Sequence, residues 1–172
     1  WIVSELVRCV RTVNDGVDTY RFNDAAQGLY QFIWGTYCDW YLEFSKPLLM
    51  GDDANLKAET RATAAWVMDQ VLHLLHPFMP FITEELWEQL GAQRPESLIT
   101  SPWPAFGDEL VDEGAEQEIG WVVDLISGVR SVRSEMNVPP SAKITMVLAG
   151  AGDVSKEWSK THAELIHRLA RI

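Results

Sequence analysis

The sequence predicts a mainly α protein, in which a helical bundle is followed by a small α/β appendage. Two observations predict the bundle. Apolar residues recur at every third or fourth position over most of the chain, and the stripe within 22–49 is aromatic and apolar on more than one face. Such a helix is typical of the centre of a bundle, where neighbours contact it on several sides. The appendage is predicted from residues 143–149, KITMVLA, whose alternation and β-branched side chains are typical of a strand.

The helices are expected in order along the chain, with residues 92–114 as a long surface connection. Asn23 is a plausible N-cap for the second helix, and Pro47 should disturb the end of that helix because its ring removes a backbone donor. Pro80 suits the first position of a helix, and Pro139 and Pro140 should stop the one before them. The expected helices cover residues 2–19, 24–45, 56–76, 80–90, 115–137 and 155–171.

This order predicts two domains. Residues 1–114 form the bundle with its surface connection, and residues 115–172 hold the last bundle helix and the start of an α/β subdomain. We expect most rings of the second helix in the core, with Tyr30 and Trp34 least buried. The expected core rings are Phe32, Tyr37, Trp40, Tyr41 and Phe44. Later helices should bury Ile82, Leu86, Trp87 and Leu90, then Ile119, Val122, Ile126, Val129 and Met136.

Net charge argues against a field of positive potential over the whole protein. The 172 residues carry a formal charge of −11. Residues 51–119 hold 3 basic and 14 acidic residues, whereas residues 120–172 hold 7 basic and 5 acidic residues. RNA binding therefore needs a local patch, and it should be modest and sensitive to salt.

Cysteine use and hydropathy indicate a cytoplasmic protein. Cys9 and Cys38 lie within helical patterns and are expected to be reduced core thiols. No apolar run approaches the roughly 20 residues that cross a bilayer, so we expect no membrane contact. The chain starts at Trp1, already inside an amphipathic pattern, and is expected to be a piece of a longer polypeptide.

The residues by themselves indicate no catalytic centre. His73 and His76 lie three apart on a helix and could hold a metal, but no third ligand is evident, so packing is the favoured interpretation. Gly150 and Gly152 are too few for a phosphate loop. We expect no catalytic residue, metal or cofactor in this chain.

Exposed basic residues beside aromatic rings are candidates for RNA contact, because unstacked bases stack on rings and guanidinium groups. Arg8 and Arg11 share one face of the first helix, and Arg21 lies in the turn beside Phe22. Arg130, Arg133 and Asn137 form a stripe on the 115–137 helix. The alternative is that these arginines form only surface salt bridges, as arginines on helix faces commonly do.

Five segments of the chain resemble the anticodon-binding domain of class I synthetases for branched aliphatic amino acids, and CDWYLE at 38–43 resembles the valyl-tRNA synthetase family in particular. They occur in the order expected for that family. The segments are WIVS at 1–4, the aromatic block at 22–49, LHPFMPFITEELW at 75–87, SPWP at 101–104 and VRSEMNVPP at 132–140.

The resemblance implies a helical bundle that binds the anticodon stem and loop of a valine tRNA, within an enzyme that joins valine to tRNA using ATP and Mg²⁺. The catalytic signatures HIGH and KMSKS do not occur in this sequence, so the chain itself should be non-catalytic. Its expected partners are the tRNA and the rest of the synthetase chain, in a monomeric protein. One wall of the anticodon site should carry Arg8, Arg11, Arg21 and Lys46, with Phe22 or Trp34 as stacking platforms.

Two other functions stay open. A helical protein–protein interaction module would present a large exposed apolar patch, which Trp66, Trp87, Trp103 and Trp121 could supply. A small-molecule enzyme would use His73 or His76, and a bound metal or ligand would favour it.

Overall fold

The computed structural model describes residues 1–91 and 94–172. These residues form mainly α-helices, as predicted. They divide into two compact units, Trp1–Asp112 and Glu113–Ile172. Among the described residues, no helix has both the length and the apolar character needed to span a membrane.

Unit 1 is a helical bundle built from α1, α2, α3, α4 and α5. The bounds are Ile2–Asp18 for α1, Phe22–Tyr30 for α2, Leu42–Met50 for α3, Ala54–Leu75 for α4 and Pro80–Leu90 for α5. A π-helical segment, Gln31–Tyr41, joins α2 to α3. Short 3₁₀ turns at Leu98–Thr100 and Asp108–Leu110 interrupt the connection that follows α5.

The core of unit 1 lies where α1, α2 and α4 meet. Leu6, Val13 and Leu29 are fully buried from the first two helices, and Val67 and Leu74 are buried from α4. Each such side chain contributes about 1.5–3 kcal/mol through removal of apolar surface from water. This rigid packing fixes where the surface residues of α1 and α2 lie.

The aromatic helix is longer than predicted. It continues through Pro47 to Met50, whereas the sequence predicted an end near Ser45. Proline removes one donor, but the amide of Gly51 donates to the carbonyl of Pro47 at 2.8 Å, so the hydrogen bonds resume beyond the ring. Packing of α3 on α4 supports this last turn.

Burial of the predicted core rings divides into two groups. Phe32 and Tyr37 are buried, whereas Trp40, Tyr41 and Phe44 are half-buried. In the second group, Phe44 lies 5.7 Å from Trp40 between ring centroids and 5.9 Å from Trp1. Tyr41 packs instead on the buried Tyr37, at 5.5 Å between ring centroids.

Three helices form unit 2. They are α6, Glu113–Glu135; α7, Asp153–Thr161; and α8, Ala163–Ala170. Val122 and Ile126 of α6 are fully buried, and Ile166 and Ala170 of α8 are nearly so. The core of this unit therefore lies between α6 and α8.

Two elements of this part of the chain differ from the prediction. Residues 143–149 form no strand, because no second strand among the described residues supplies the partner that a ladder requires. The helix predicted over 155–171 is broken into two at His162, which leaves helical geometry (φ −102°, ψ 18°) and ends α7. His162 lies 2.6 Å from Glu118 on α6, between Nε2 and Oε1, so the break coincides with a contact to α6.

Three residues predicted to be buried are exposed. Ile82 and Leu90 of α5 are more than half exposed, whereas Thr83 and Trp87 are buried and Leu86 is half-buried against the cluster that contains Trp87. Met136 is exposed beyond the end of α6.

Candidate nucleic-acid interface

The predicted basic face of α1 is exposed, and its second arginine forms an ion pair. Arg8 and Arg11 both reach the surface while the residues beside them, Val7 and Val10, are buried. Arg11 donates to Asp108 at 2.5 Å, and both side chains are open to solvent. Exposed pairs of this kind contribute about 0–1 kcal/mol, so a phosphate could replace the carboxylate at little cost.

Arg21 lies in the turn between α1 and α2 and also contacts carboxylates. Its guanidinium donates to Asp15 at 2.5 Å and lies 3.3 Å from Asp24, and its Nε donates to the hydroxyl of Thr19 at 3.0 Å. The group is therefore held in place, but its charge is locally compensated. RNA contact here requires exchange of these carboxylates for phosphates.

Phe22 lies beside an aromatic cavity that sequence analysis did not find. The ring is 52% exposed and lines a cavity of about 400 Å³. The other lining residues are Val17, Pro77, Phe78 and Trp103. Tyr20 lies edge-on to Phe22 at 6.2 Å, and it is held outward by a left-handed backbone (φ 59°). Tyr20 and Trp103 are therefore further candidate stacking rings, and only the fold brings Trp103 to this turn.

Trp34 and Lys46 lie on the aromatic helix at separate positions. Trp34, on the π-helical segment, is 56% exposed, and Tyr30 four positions earlier is similarly open. The low burial of both rings agrees with the sequence prediction, and both are thus available for stacking. Lys46 forms an ion pair with Glu43 on the same face of α3.

Arg130, Arg133 and Asn137 line one cavity of about 530 Å³ on unit 2. The expectation that Arg133 is exposed is wrong: it is 7% exposed. Arg133 donates to the carbonyl oxygens of Pro139 (3.0 Å), Ala142 (2.8 Å) and Arg171 (3.1 Å). Its guanidinium thus holds the backbone that follows α6 and the residue that follows α8, because it donates hydrogen bonds to both.

Arg130 and Asn137, which line the same cavity as Arg133, are exposed at the surface. Arg130 donates from Nε to the carbonyl of Leu169 at 3.0 Å. Asn137 has a left-handed backbone (φ 52°), which turns the chain out of α6. Asparagine tolerates this conformation better than most residues.

His73 and His76 pack inside unit 1. Nδ1 of His73 donates to the carbonyl of Asp69 at 2.8 Å, and Nε2 lies 2.8 Å from the hydroxyl of Ser101. Nδ1 of His76 lies 2.8 Å from the hydroxyl of Thr83. Among the described residues, no group of three potential metal ligands occurs around either ring.

A comparison with protein families decides the classification. A family described as the anticodon-binding domain of tRNA ligase matches residues 1–148. The chain belongs to this family. The match covers all of unit 1, all of α6 and most of the loop after α6, so it includes the predicted residues of both units.

Individual relatives agree with this assignment and confirm the resemblance predicted from sequence. The chain is 50% identical over 175 residues to a valine–tRNA ligase of Caulobacter vibrioides. It is 49% identical to that of Rhizobium meliloti and 50% identical to that of Brucella suis. Each alignment covers 100% of this chain, which spans only 18% or 19% of the relatives' length.

Proposed function

We propose that this chain recognises the anticodon stem and loop of a valine tRNA, as one part of a valine–tRNA ligase. The observation that carries the proposal is the match of residues 1–148 to the anticodon-binding family, together with about half identity to valine–tRNA ligases over the whole chain. The whole protein would join valine to tRNA using ATP and Mg²⁺, and we assign neither to residues of this chain.

Unit 1 offers the chemistry that a single-stranded loop requires. Exposed rings lie beside guanidinium groups at the turn between α1 and α2, where Phe22 lies next to Arg21. Unstacked bases of an anticodon loop would stack on these rings or on Trp34, and phosphates would contact Arg8, Arg11, Arg21 and Lys46. The proposed contacts on unit 2 are Arg130 and Asn137. Arg133 would act through the backbone that it holds.

The carboxylates around these arginines set the expected strength of binding. Arg11 and Arg21 are each paired with aspartate, so a phosphate contact at either of these arginines replaces an existing ion pair. We therefore propose modest affinity with a strong dependence on salt. The partners would be the tRNA and the rest of the ligase chain, in a monomeric cytoplasmic protein.

Titration of the chain with RNA tests the proposal. The probes are a valine tRNA and the same tRNA with a changed anticodon, each at 50 and 200 mM salt. We expect the changed anticodon to weaken binding and high salt to weaken binding to both RNAs. Equal affinity for the two RNAs would exclude recognition of the anticodon.

A pair of arginine variants tests the surface of unit 1. Arg11→Ala should weaken tRNA binding and lower the salt slope by about 1, while changing stability by no more than about 0.5 kcal/mol. Arg61→Ala is the matched control, since Arg61 is an exposed arginine on α4 outside the proposed surface. Equal loss of affinity in the two variants would retire the assignment of Arg11.

A further inference from the structure

Two adjoining cavities form a basic groove on unit 2. The cavity beside Arg130 adjoins another of about 570 Å³, and Arg171 lines both. The second cavity adds three basic side chains, Lys143, His167 and Arg168. We propose that this groove binds backbone phosphates of the tRNA, as a contact that is separate from reading the anticodon. The proposal rests on the proposed function only in taking a tRNA as the ligand.

Local charge distinguishes this groove from the basic face of unit 1. Among the described residues, no carboxylate side chain lines the first cavity, and Glu164 supplies the acidic side chain in the lining of the second. Lys143 and Arg171 are exposed, and within the described parts of the chain neither side chain has an ion-pair partner. A phosphate can therefore bind these two side chains without breaking an ion pair, in contrast to Arg11 and Arg21.

The floor of the groove carries a buried cation. Arg133 is held by three backbone carbonyl groups rather than by a carboxylate, so its hydrogen bonds are satisfied while its formal charge is not neutralised. A buried charge in this state favours an anion nearby, because the low dielectric of the interior screens it weakly. Arg133 also donates to the carbonyl of Arg171, which lines both cavities. The backbone of Arg171 is left-handed (φ 55°).

The lining chemistry favours phosphates over bases. No Phe, Tyr or Trp lines either cavity in the described structure, so the groove lacks the rings on which bases stack. Contacts to phosphates position a nucleic acid and carry no sequence information. Binding at this groove should consequently be independent of the anticodon.

A charge-matched pair of double variants tests the groove. Lys143→Gln with Arg171→Gln removes two charges from the groove, and Lys156→Gln with Lys160→Gln removes two from the exposed surface of α7 in the same unit. We expect the groove variant to weaken binding about tenfold at low salt, equally for both tRNAs, and to lower the salt slope by about 1–2. The α7 variant should keep affinity within about twofold. Equal effects of the two double variants, or an unchanged groove variant, would overturn the proposal, as would failure of the wild-type chain to bind either RNA.

The same titrations separate this proposal from the anticodon proposal. If the wild-type chain binds both tRNAs equally and the groove variant weakens both, the groove stands and anticodon recognition fails. If the wild-type chain prefers the valine tRNA and the groove variant is unchanged, the groove fails and anticodon recognition stands.

Discussion

Burial distinguishes the two thiols of unit 1. Cys9 is buried on α1, and this burial, together with the charge of Glu5, raises the pKa of its thiol to about 12. Cys38 is half-buried, and burial followed by the charge of Asp39 raises its pKa from the usual value. Because the thiolate is the nucleophile, both groups react slowly, and Cys9 is also shielded from reagents.

Alkylation at pH 8 should therefore modify Cys38 first. We expect iodoacetamide to label Cys38 in the native protein and Cys9 only after unfolding in denaturant, as measured by mass spectrometry of peptides. The Cys38→Ser variant should take up almost no label while it is folded. Labelling of Cys9 at the rate of Cys38 would contradict the buried position of Cys9.

Tyr37 predicts a loss of stability in alkali. Burial, and then Tyr41 and Cys38, raise the pKa of its phenol to about 12, compared with about 10 in an unfolded chain. The folded protein thus holds the proton more tightly than the unfolded protein does. This contribution is complete below about pH 10 and is lost as the pH rises from about 10 to 12.

Urea unfolding at pH 9 and pH 11 measures this effect. Tyr37→Phe should cost about 0.5–1.5 kcal/mol at pH 9, because it removes the hydrogen bond to the carbonyl of Ala64 at 3.1 Å. The variant should then lose less stability than wild type between the two pH values. Tyr20→Phe, at an exposed ring, is the control and should follow the wild type. Parallel losses in Tyr37→Phe and wild type would contradict the prediction.

At the scale of elements, Gly16 sets how closely α1 approaches α2. A Cβ added there would lie 2.9 Å from both the backbone nitrogen and the Cβ of Ala25. Gly16→Ala should therefore destabilise the protein by about 1–3 kcal/mol, less the small gain in helix propensity. Gly128 on α6 is the matched control, since an added Cβ meets no atom within 4 Å.

The midpoint temperature of thermal unfolding should fall in Gly16→Ala and rise in Gly128→Ala. Gly128→Ala should stabilise its helix by about 0.5–1 kcal/mol, because alanine has the higher helix propensity. If Gly16→Ala is also stabilising, then the two helices can separate without cost, and the close packing at Ala25 does not contribute to stability.

Element prediction succeeded where a periodic apolar stripe was long. The 3.6-residue period placed α1, α4, α5 and α6 within a few residues of their bounds, since burial of one face decides both pattern and structure. Element prediction failed where contacts between residues that are distant in sequence determine the structure. Residues 143–149 have strand propensity but no ladder partner among the described residues, and the end of α7 at His162 coincides with a contact to Glu118.

At the scale of the whole molecule, sequence found the candidate residues but not their surroundings. The basic excess of residues 120–172 and the family segments were visible in order along the chain. The ion pair between Arg11 and Asp108 was not visible in the sequence, because these two residues are 97 positions apart. The burial of Arg133 was equally hidden, since its acceptors are backbone carbonyl groups, which every residue carries.

The two compact units predict that damage in one is confined to it. Arg133→Met keeps the bulk of the side chain but leaves the carbonyl groups of Pro139, Ala142 and Arg171 without their donor. Buried acceptors without donors cost about 1–3 kcal/mol each where water does not reach them. Unit 2 should therefore open more often, while unit 1, whose core lies between α1, α2 and α4, should not.

Hydrogen exchange followed by mass spectrometry measures this confinement. In Arg133→Met, peptides that contain Val122 and Ile126 should exchange at least tenfold faster, whereas peptides that contain Val67 and Leu74 should exchange as in wild type. Arg133→Lys should give an intermediate rate, because an ammonium keeps the charge but cannot span three carbonyl groups in the plane of a guanidinium. Faster exchange throughout the chain would mean that the units unfold together. Unchanged exchange at α6 would mean that the buried guanidinium does not stabilise the backbone on which the proposed phosphate groove depends.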